Sequence, residues 1–276
     1  MTARFSVGGV LATSVRIWAR NLPRFMAITV LCYLPVIGWE LAMVYQVDPF
    51  LGLYRGYDDF LSLLHPVLRV LPGGRFVAHA CMAAAVTQGT LVALTSKPAP
   101  IVRGLQAAVR RFFPVMGVAL IVWVASGGVM TALNLLVGRW ENVNLFIFGS
   151  AVYYAVAISL FYLAVPIATV ERRAVIGSIA HGFALARGAR IRVFAIALVW
   201  QFAFGAVYVL VELALTRGPG AKFGVYLFDT QLFGLVVLGT QAVLSSFQLV
   251  SAAVTYRLLR NDKEGPPADE LVTVFE

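Results

Sequence analysis

The sequence predicts an all-α protein, a polytopic transmembrane bundle of six spans built as three repeated hairpins. Each hairpin is preceded by an amphipathic interfacial helix on the cytoplasmic face. Three observations predict this. The chain is short of charge, its apolar residues gather into six long blocks, and its basic residues alternate from side to side of those blocks. Of 276 residues, 60% are hydrophobic and 13% charged, where a soluble domain carries roughly a quarter charged. Lipid resolves that shortage, because a lipid-facing helix needs no polar face.

A span needs about 20 mostly apolar residues. The blocks that qualify are 25–46, 76–96, 113–136, 145–170, 193–215 and 231–256. Trp18 and Trp140 stand near block ends, where an interfacial aromatic belt places them. The N-terminus has no short apolar core with a cleavage site, so the first block reads as a retained span.

Orientation follows from the Lys and Arg residues between blocks. One side holds Arg4, Arg16, Arg20 and Arg24, then Lys97, Arg103, Arg110 and Arg111. It also holds Arg172, Arg173, Arg187, Arg190 and Arg192, and finally Arg257, Arg260 and Lys263. The other side holds only Arg55, Arg69, Arg75, Arg139, Arg217 and Lys222. The positive-inside rule assigns the richer side to the cytoplasm, and with an even number of spans both termini lie there. The net charge of +9 is thus distributed between apolar blocks, and no nucleic-acid surface is expected from it.

Three stretches on that basic side have helical amphipathicity and are too short to span. In the first, Leu11, Val15 and Trp18 share a face, and Arg16 and Arg20 lie elsewhere. In the second, Ile101, Leu105, Ala108 and Phe112 recur against Arg103, Gln106 and Arg110. In the third, Ile176, Ile179 and Phe183 do so, flanked by Arg172, Arg173, Arg187 and Arg190. Each leads into a span, which favours a helix lying in the membrane interface.

Arg24, Arg111 and Arg192 each precede a Phe by one or two residues, and each separates an amphipathic stretch from a pair of spans. This defines three units of about 4–96, 98–170 and 172–260 within one membrane domain, 1–260. Residues 261–276 read as a solvated cytoplasmic tail. The connection 47–75 is expected to carry a short outer interfacial helix behind Asp58 and Asp59.

Polar groups inside spans are the places to look for function. Gln88, Gln201 and Gln248 each stand nine residues from a boundary cation, about 14 Å deep at 1.5 Å per residue. They are candidates for a midplane polar cluster, as interhelical glue or as a polar gate. Glu40 and Glu212 are the acids within blocks, and their depth suits capping at the outer boundary. The candidates for lipid-headgroup contact are Arg16, Arg20, Arg24, Arg103, Arg110, Arg111, Arg172, Arg173, Arg187, Arg190 and Arg192. They suit anionic headgroups.

His65, His79 and His181 are too scattered for a metal site, and His181 is expected to be solvated. Cys32 and Cys81 lie within apolar blocks without CxxC spacing, so two structural thiols are expected. No cofactor motif, nucleophile–base pair or paired-acid arrangement emerges. The expected role is therefore non-enzymatic: support of membrane or lipid organisation, or of a membrane-protein partner complex. The alternative is a small-solute transporter or channel that uses the glutamines.

Two segments resemble a known bacterial family. Val165-Pro166 leads to Val170-Glu171-Arg172-Arg173 and on to Phe183-Ala184-Leu185-Ala186-Arg187-Gly188. Near the end stands Tyr256-Arg257-Leu258-Leu259-Arg260, then Lys263-Glu264-Gly265. With the opening Phe5 to Trp18, these are similar to the membrane domain of the glycerophosphoryl diester phosphodiesterases. Gly182 stands where the family usually has Ser, and Ala186 where it often has Thr. No catalytic barrel accompanies the spans here, so the resemblance implies the membrane part alone, in a bacterial inner membrane, without an activity.

Overall fold

In the computed structural model of the chain, residues 5–44, 73–95, 98–137, 161–171, 173–217 and 231–265 are described, with the isolated positions 156 and 159. The described residues form nine helices and no strand. They are α1 (Val7–Arg20), α2 (Leu22–Val44), α3 (Gly73–Ala93), α4 (Ile101–Arg110) and α5 (Phe112–Val137). After these come α6 (Ala164–Val170), α7 (Val175–Ala186), α8 (Arg190–Arg217) and α9 (Gln231–Glu264). The expected outer helix within 47–75 and most of the block 145–170 lie outside the described residues.

By length and composition, two helical stretches can cross a membrane, Arg190–Val207 and Ala242–Glu264. Two further pairs reach the same standard if each is one broken span. Val7–Arg20 with Leu22–Gly38 bends by 79°, and Ile101–Arg110 with Phe112–Val122 bends by 74°. The described residues therefore hold two to four candidate spans.

Both bends begin at a residue with nearly the same backbone, Asn21 at φ −112°, ψ 15° and Arg111 at φ −112°, ψ 12°. Each ends one helix while its own N–H still bonds back into the last turn. The chain then restarts almost at right angles. Asn21 does more than turn the chain. Buried at the corner, its Nδ2 donates to the Ile17 carbonyl at 3.0 Å, and its Oδ1 accepts the Ala99 N–H at 3.1 Å. It thereby pins the entry to α4 against the α1–α2 corner. Asn21→Ala leaves the buried Ala99 N–H without a partner, which costs about 1–3 kcal/mol. The expected result is a lower Tm for the detergent-solubilised protein.

α3 is the hub. It packs against α2, α4, α5, α6 and α9, and it can because its buried residues are mostly small: Ala78, Ala80, Ala83, Ala84, Ala85, Thr87, Gly89 and Thr90. Small residues let helix backbones approach closely where lipid removes the hydrophobic drive between helices. α4 crosses α3 so tightly that a Cβ at Gly104 would lie 2.9 Å from the Ala85 carbonyl oxygen. Hydroxyls in the bundle bond to their own helix one turn back. Thr29 donates to Phe25 O, Thr90 to Val86 O and Thr255 to Ser251 O, all at 2.7–2.8 Å.

The inward faces of the amphipathic helices combine small residues with apolar ones. α4 turns in Gly104 and Ala108, flanked by Ile101 and Leu105, and exposes Arg103, Gln106 and Arg110, as the periodicity predicts. α1 instead buries Val10, Ser14 and Ile17, with Leu11 and Trp18 alongside and Val15 exposed. α7 buries Ser178, Gly182 and Leu185 and leaves Ile176 78% exposed. A small side chain sits at each of these contacts, and Val15 and Ile176 are left outside.

Candidate functional site

The structure gathers polar residues most densely at the basic side, where α9 continues past the bundle beside the α6–α7 connection. Glu171 ends α6, and its N–H donates to the Ile167 carbonyl at 2.9 Å. Its side chain is only 9% exposed. The Tyr256 hydroxyl donates to Glu171 Oε1 at 2.9 Å, and Arg173 Nε donates to Oε2 at 2.8 Å. Arg260 Nη1 donates to the Tyr256 oxygen at 3.0 Å and Arg260 Nε to Glu264 Oε2 at 3.2 Å. Tyr256, Arg260 and Glu264 recur every fourth residue, so one face of α9 carries all three.

His181 on α7 closes the ring. Its Nε2 lies 3.3 Å from Glu171 Oε2 and 3.4 Å from Glu264 Oε1. It is at ion-pairing distance from both, yet aligned as a hydrogen bond with neither. With its side chain 15% exposed, His181 is not solvated as the amphipathic pattern suggests, because the end of α9 covers it. Lys263 completes the attachment. Its Nζ donates to the Ala184 carbonyl at 3.2 Å and to the Arg187 carbonyl at 2.6 Å. Those carbonyls belong to the end of α7, where a cation meets the negative pole of the helix.

Two carboxylates, two arginines, a tyrosine, a histidine and a lysine thus clasp α9 to α6 and α7. The charges largely balance within the ring. A nearly buried carboxylate shared by a hydroxyl, a guanidinium and an imidazole holds these elements together. Among the described residues no cluster of three or more His, Cys, Asp and Glu can hold a metal ion.

The residues singled out from sequence are placed as follows. Arg16, Arg20, Arg24, Arg103, Arg110, Arg173, Arg187, Arg190 and Arg192 are exposed, and Arg111 is half-buried at the α4–α5 corner. Arg192 is also used within the fold, its Nη1 donating to the Phe5 carbonyl at 2.7 Å. Arg172 lies outside the described residues. Gln88, Gln201 and Gln248 are half-buried on α3, α8 and α9, and α9 packs against both other helices. Among the described residues no hydrogen bond joins the three side chains. The contact at that level is from the Tyr162 hydroxyl to the Gln248 carbonyl, at 3.4 Å. The side chains of Glu40 and Glu212 lie outside what is described.

An aromatic group ties α1 and α8 to α9. Trp18 Nε1 donates to Ser246 Oγ at 3.1 Å, and the Trp18 ring lies 5.1 Å from that of Phe247. Trp200 meets Phe247 edge to face at 4.4 Å. Periodicity did not single out the clasp, because Tyr256, Arg260 and Glu264 read as the ordinary polar end of a span. Their spacing of four, opposite an acid placed just beyond another span, is the signal that was there to use.

No protein-family model, curated protein or solved structure matches the chain.

Proposed function

We propose that this is a six-span bacterial inner-membrane protein that organises anionic lipid at the cytoplasmic leaflet, without catalysing a reaction. The observation that carries the reading is the company kept by the exposed arginines. Val109 is 79% exposed beside Arg110, Phe113 78% exposed near Arg111, and Ile191 84% exposed between Arg190 and Arg192. Large apolar side chains and cations facing outward together suit the boundary between headgroups and acyl chains. Water alone suits only the cations. The 79° and 74° bends support the same reading, since they turn each amphipathic helix across the helix that follows.

The three-hairpin repeat is part of this proposal. Its support is the matching backbone at Asn21 and Arg111 and the small residue each amphipathic helix turns inward, Ser14 in α1, Gly104 in α4 and Ser178 in α7. The third unit turns differently, through Gly188 at φ +83°, a conformation that glycine adopts without strain. The likeness to the phosphodiesterase membrane-domain family is also our proposal. It is supported by the way its two motif segments, around Glu171 and around Tyr256, form one network across 85 residues of chain.

Quenching of tryptophan fluorescence by brominated lipid tests the lipid reading. In mixed bilayers, brominated phosphatidylglycerol is expected to quench more than brominated phosphatidylcholine at equal mole fraction. Replacing Arg103, Arg110, Arg187 and Arg190 with Gln is expected to remove that preference, at about 1 kcal/mol per cation near the surface. Equal quenching by both lipids in the unaltered protein would contradict the proposal.

A further inference from the structure

The two cysteines of the chain lie on neighbouring helices, Cys32 on α2 and Cys81 on α3. Both are free and half-buried. α2 and α3 pack together, and the contacts along their seam set the register. At one end the position a Cβ would take at Gly89 is 3.4 Å from Phe25 Cε1 and 3.9 Å from Ile28 Cδ1. Further along, the Tyr33 hydroxyl and His79 Nδ1 are 3.4 Å apart. As α2 advances from Phe25 to Tyr33, α3 therefore runs back from Gly89 to His79, and that antiparallel register sets Cys32 against Cys81.

We propose that Cys32 and Cys81 are a reversible dithiol–disulfide pair that fastens α2 to the hub helix α3, oxidised by a lipid-soluble quinone. A disulfide needs Cβ atoms roughly 3.5–4.5 Å apart, and the register of the two packed helices brings the cysteines to facing positions. The alanine-rich surface of α3 brings a neighbouring backbone in closely. Half-burial favours the oxidant, since neither cysteine is fully enclosed by the bundle. In the reaction each thiol gives up its proton and a sulfur–sulfur bond forms. The two electrons and two protons pass to the quinone, which leaves as the quinol. A dithiol such as dithiothreitol reverses the bond by exchange. The pair would lock the middle of α2 to α3.

The membrane reading enters only through the choice of oxidant, so the experiment has two arms. Full-length protein in liposomes is treated with diamide, or with a fully substituted benzoquinone dissolved in the bilayer, then denatured and labelled with a maleimide. Both arms are expected to abolish labelling of Cys32 and Cys81 together and to yield a Cys32–Cys81 linked peptide. The chain is expected to stay monomeric on a non-reducing gel, and dithiothreitol to restore both labels. Cys32→Ser is expected to leave Cys81 fully labelled after quinone. A thiol that stays free after diamide, or links between molecules, overturns the pairing. A pair closed by diamide and untouched by quinone overturns the quinone as oxidant and leaves the lipid proposal unaffected.

Discussion

Glu171→Ala is expected to destabilise the protein by about 2–4 kcal/mol. The carboxylate is nearly buried and serves the Tyr256 hydroxyl, Arg173 and His181 at once. A hydrogen bond to a charged group contributes about 1.5–3 kcal/mol, and removing one partner of a buried charged set strands the others. The lower part of the range for breaking buried pairs applies, because Arg173 and Glu264 are 46% and 40% exposed and solvent screens them. Tyr256→Phe removes two bonds from the same ring, the one to Glu171 and the one from Arg260, so the double variant should lose less than the sum of the two single losses. Thermal unfolding of the detergent-solubilised protein measures both. Additive losses would mean that Glu171 and Tyr256 act separately.

The second large effect is expected at the α3–α4 crossing. Gly104→Val should destabilise at or above the upper end of the roughly 1–3 kcal/mol typical of overpacking. The atom that the new Cβ meets, the Ala85 carbonyl oxygen, belongs to a helix backbone and cannot swing aside. Gly104→Ala is the milder probe, because alanine regains up to about 1 kcal/mol of helix propensity against the same clash. Gly8→Ala in α1 serves as the control, since nothing lies within 4 Å of its added Cβ. That variant is expected to be neutral or slightly stabilising. If Gly104→Val unfolds at the same temperature as the unaltered chain, the tight crossing of α4 on α3 is wrong.

Composition and block length made the helical, lipid-compatible character of the chain legible, because charge shortage and apolar runs are properties of segments and need no partner. The amphipathic stretches were legible as helices for the same reason. Their inward faces were less so. In water a core helix turns its largest apolar residues inward, and that rule points to Leu11, Val15 and Ile176. Here Ser14, Ser178, Gly182 and Gly104 mark the contacts, and Val15 and Ile176 face outward. Small size marks these contacts alongside hydropathy, because small residues let helix backbones approach closely.

The clasp was the least legible feature. Glu171 and Tyr256 stand 85 residues apart, and nothing local in either segment says that they meet. His181 illustrates the cost of reading one helix at a time. The polar side of α7 reads as solvated until the end of α9 is laid over it. The glutamine level shows the reverse. Equal depth was derived for Gln88, Gln201 and Gln248, but equal depth does not aim side chains at one another, and no hydrogen bond joins them among the described residues.

Sidedness tests the central claim most directly, because the lipid proposal requires the arginine-rich helices to share one face of the membrane. Single cysteines at positions 20, 103, 187 and 263, and in separate proteins at 139 and 222, would be placed in a cysteine-free chain. Sealed vesicles of known orientation would then be labelled with a membrane-impermeant maleimide. The account predicts that 20, 103, 187 and 263 label only from the cytoplasmic side, and 139 and 222 only from the opposite side. Labelling of 103 and 187 from opposite sides would contradict it.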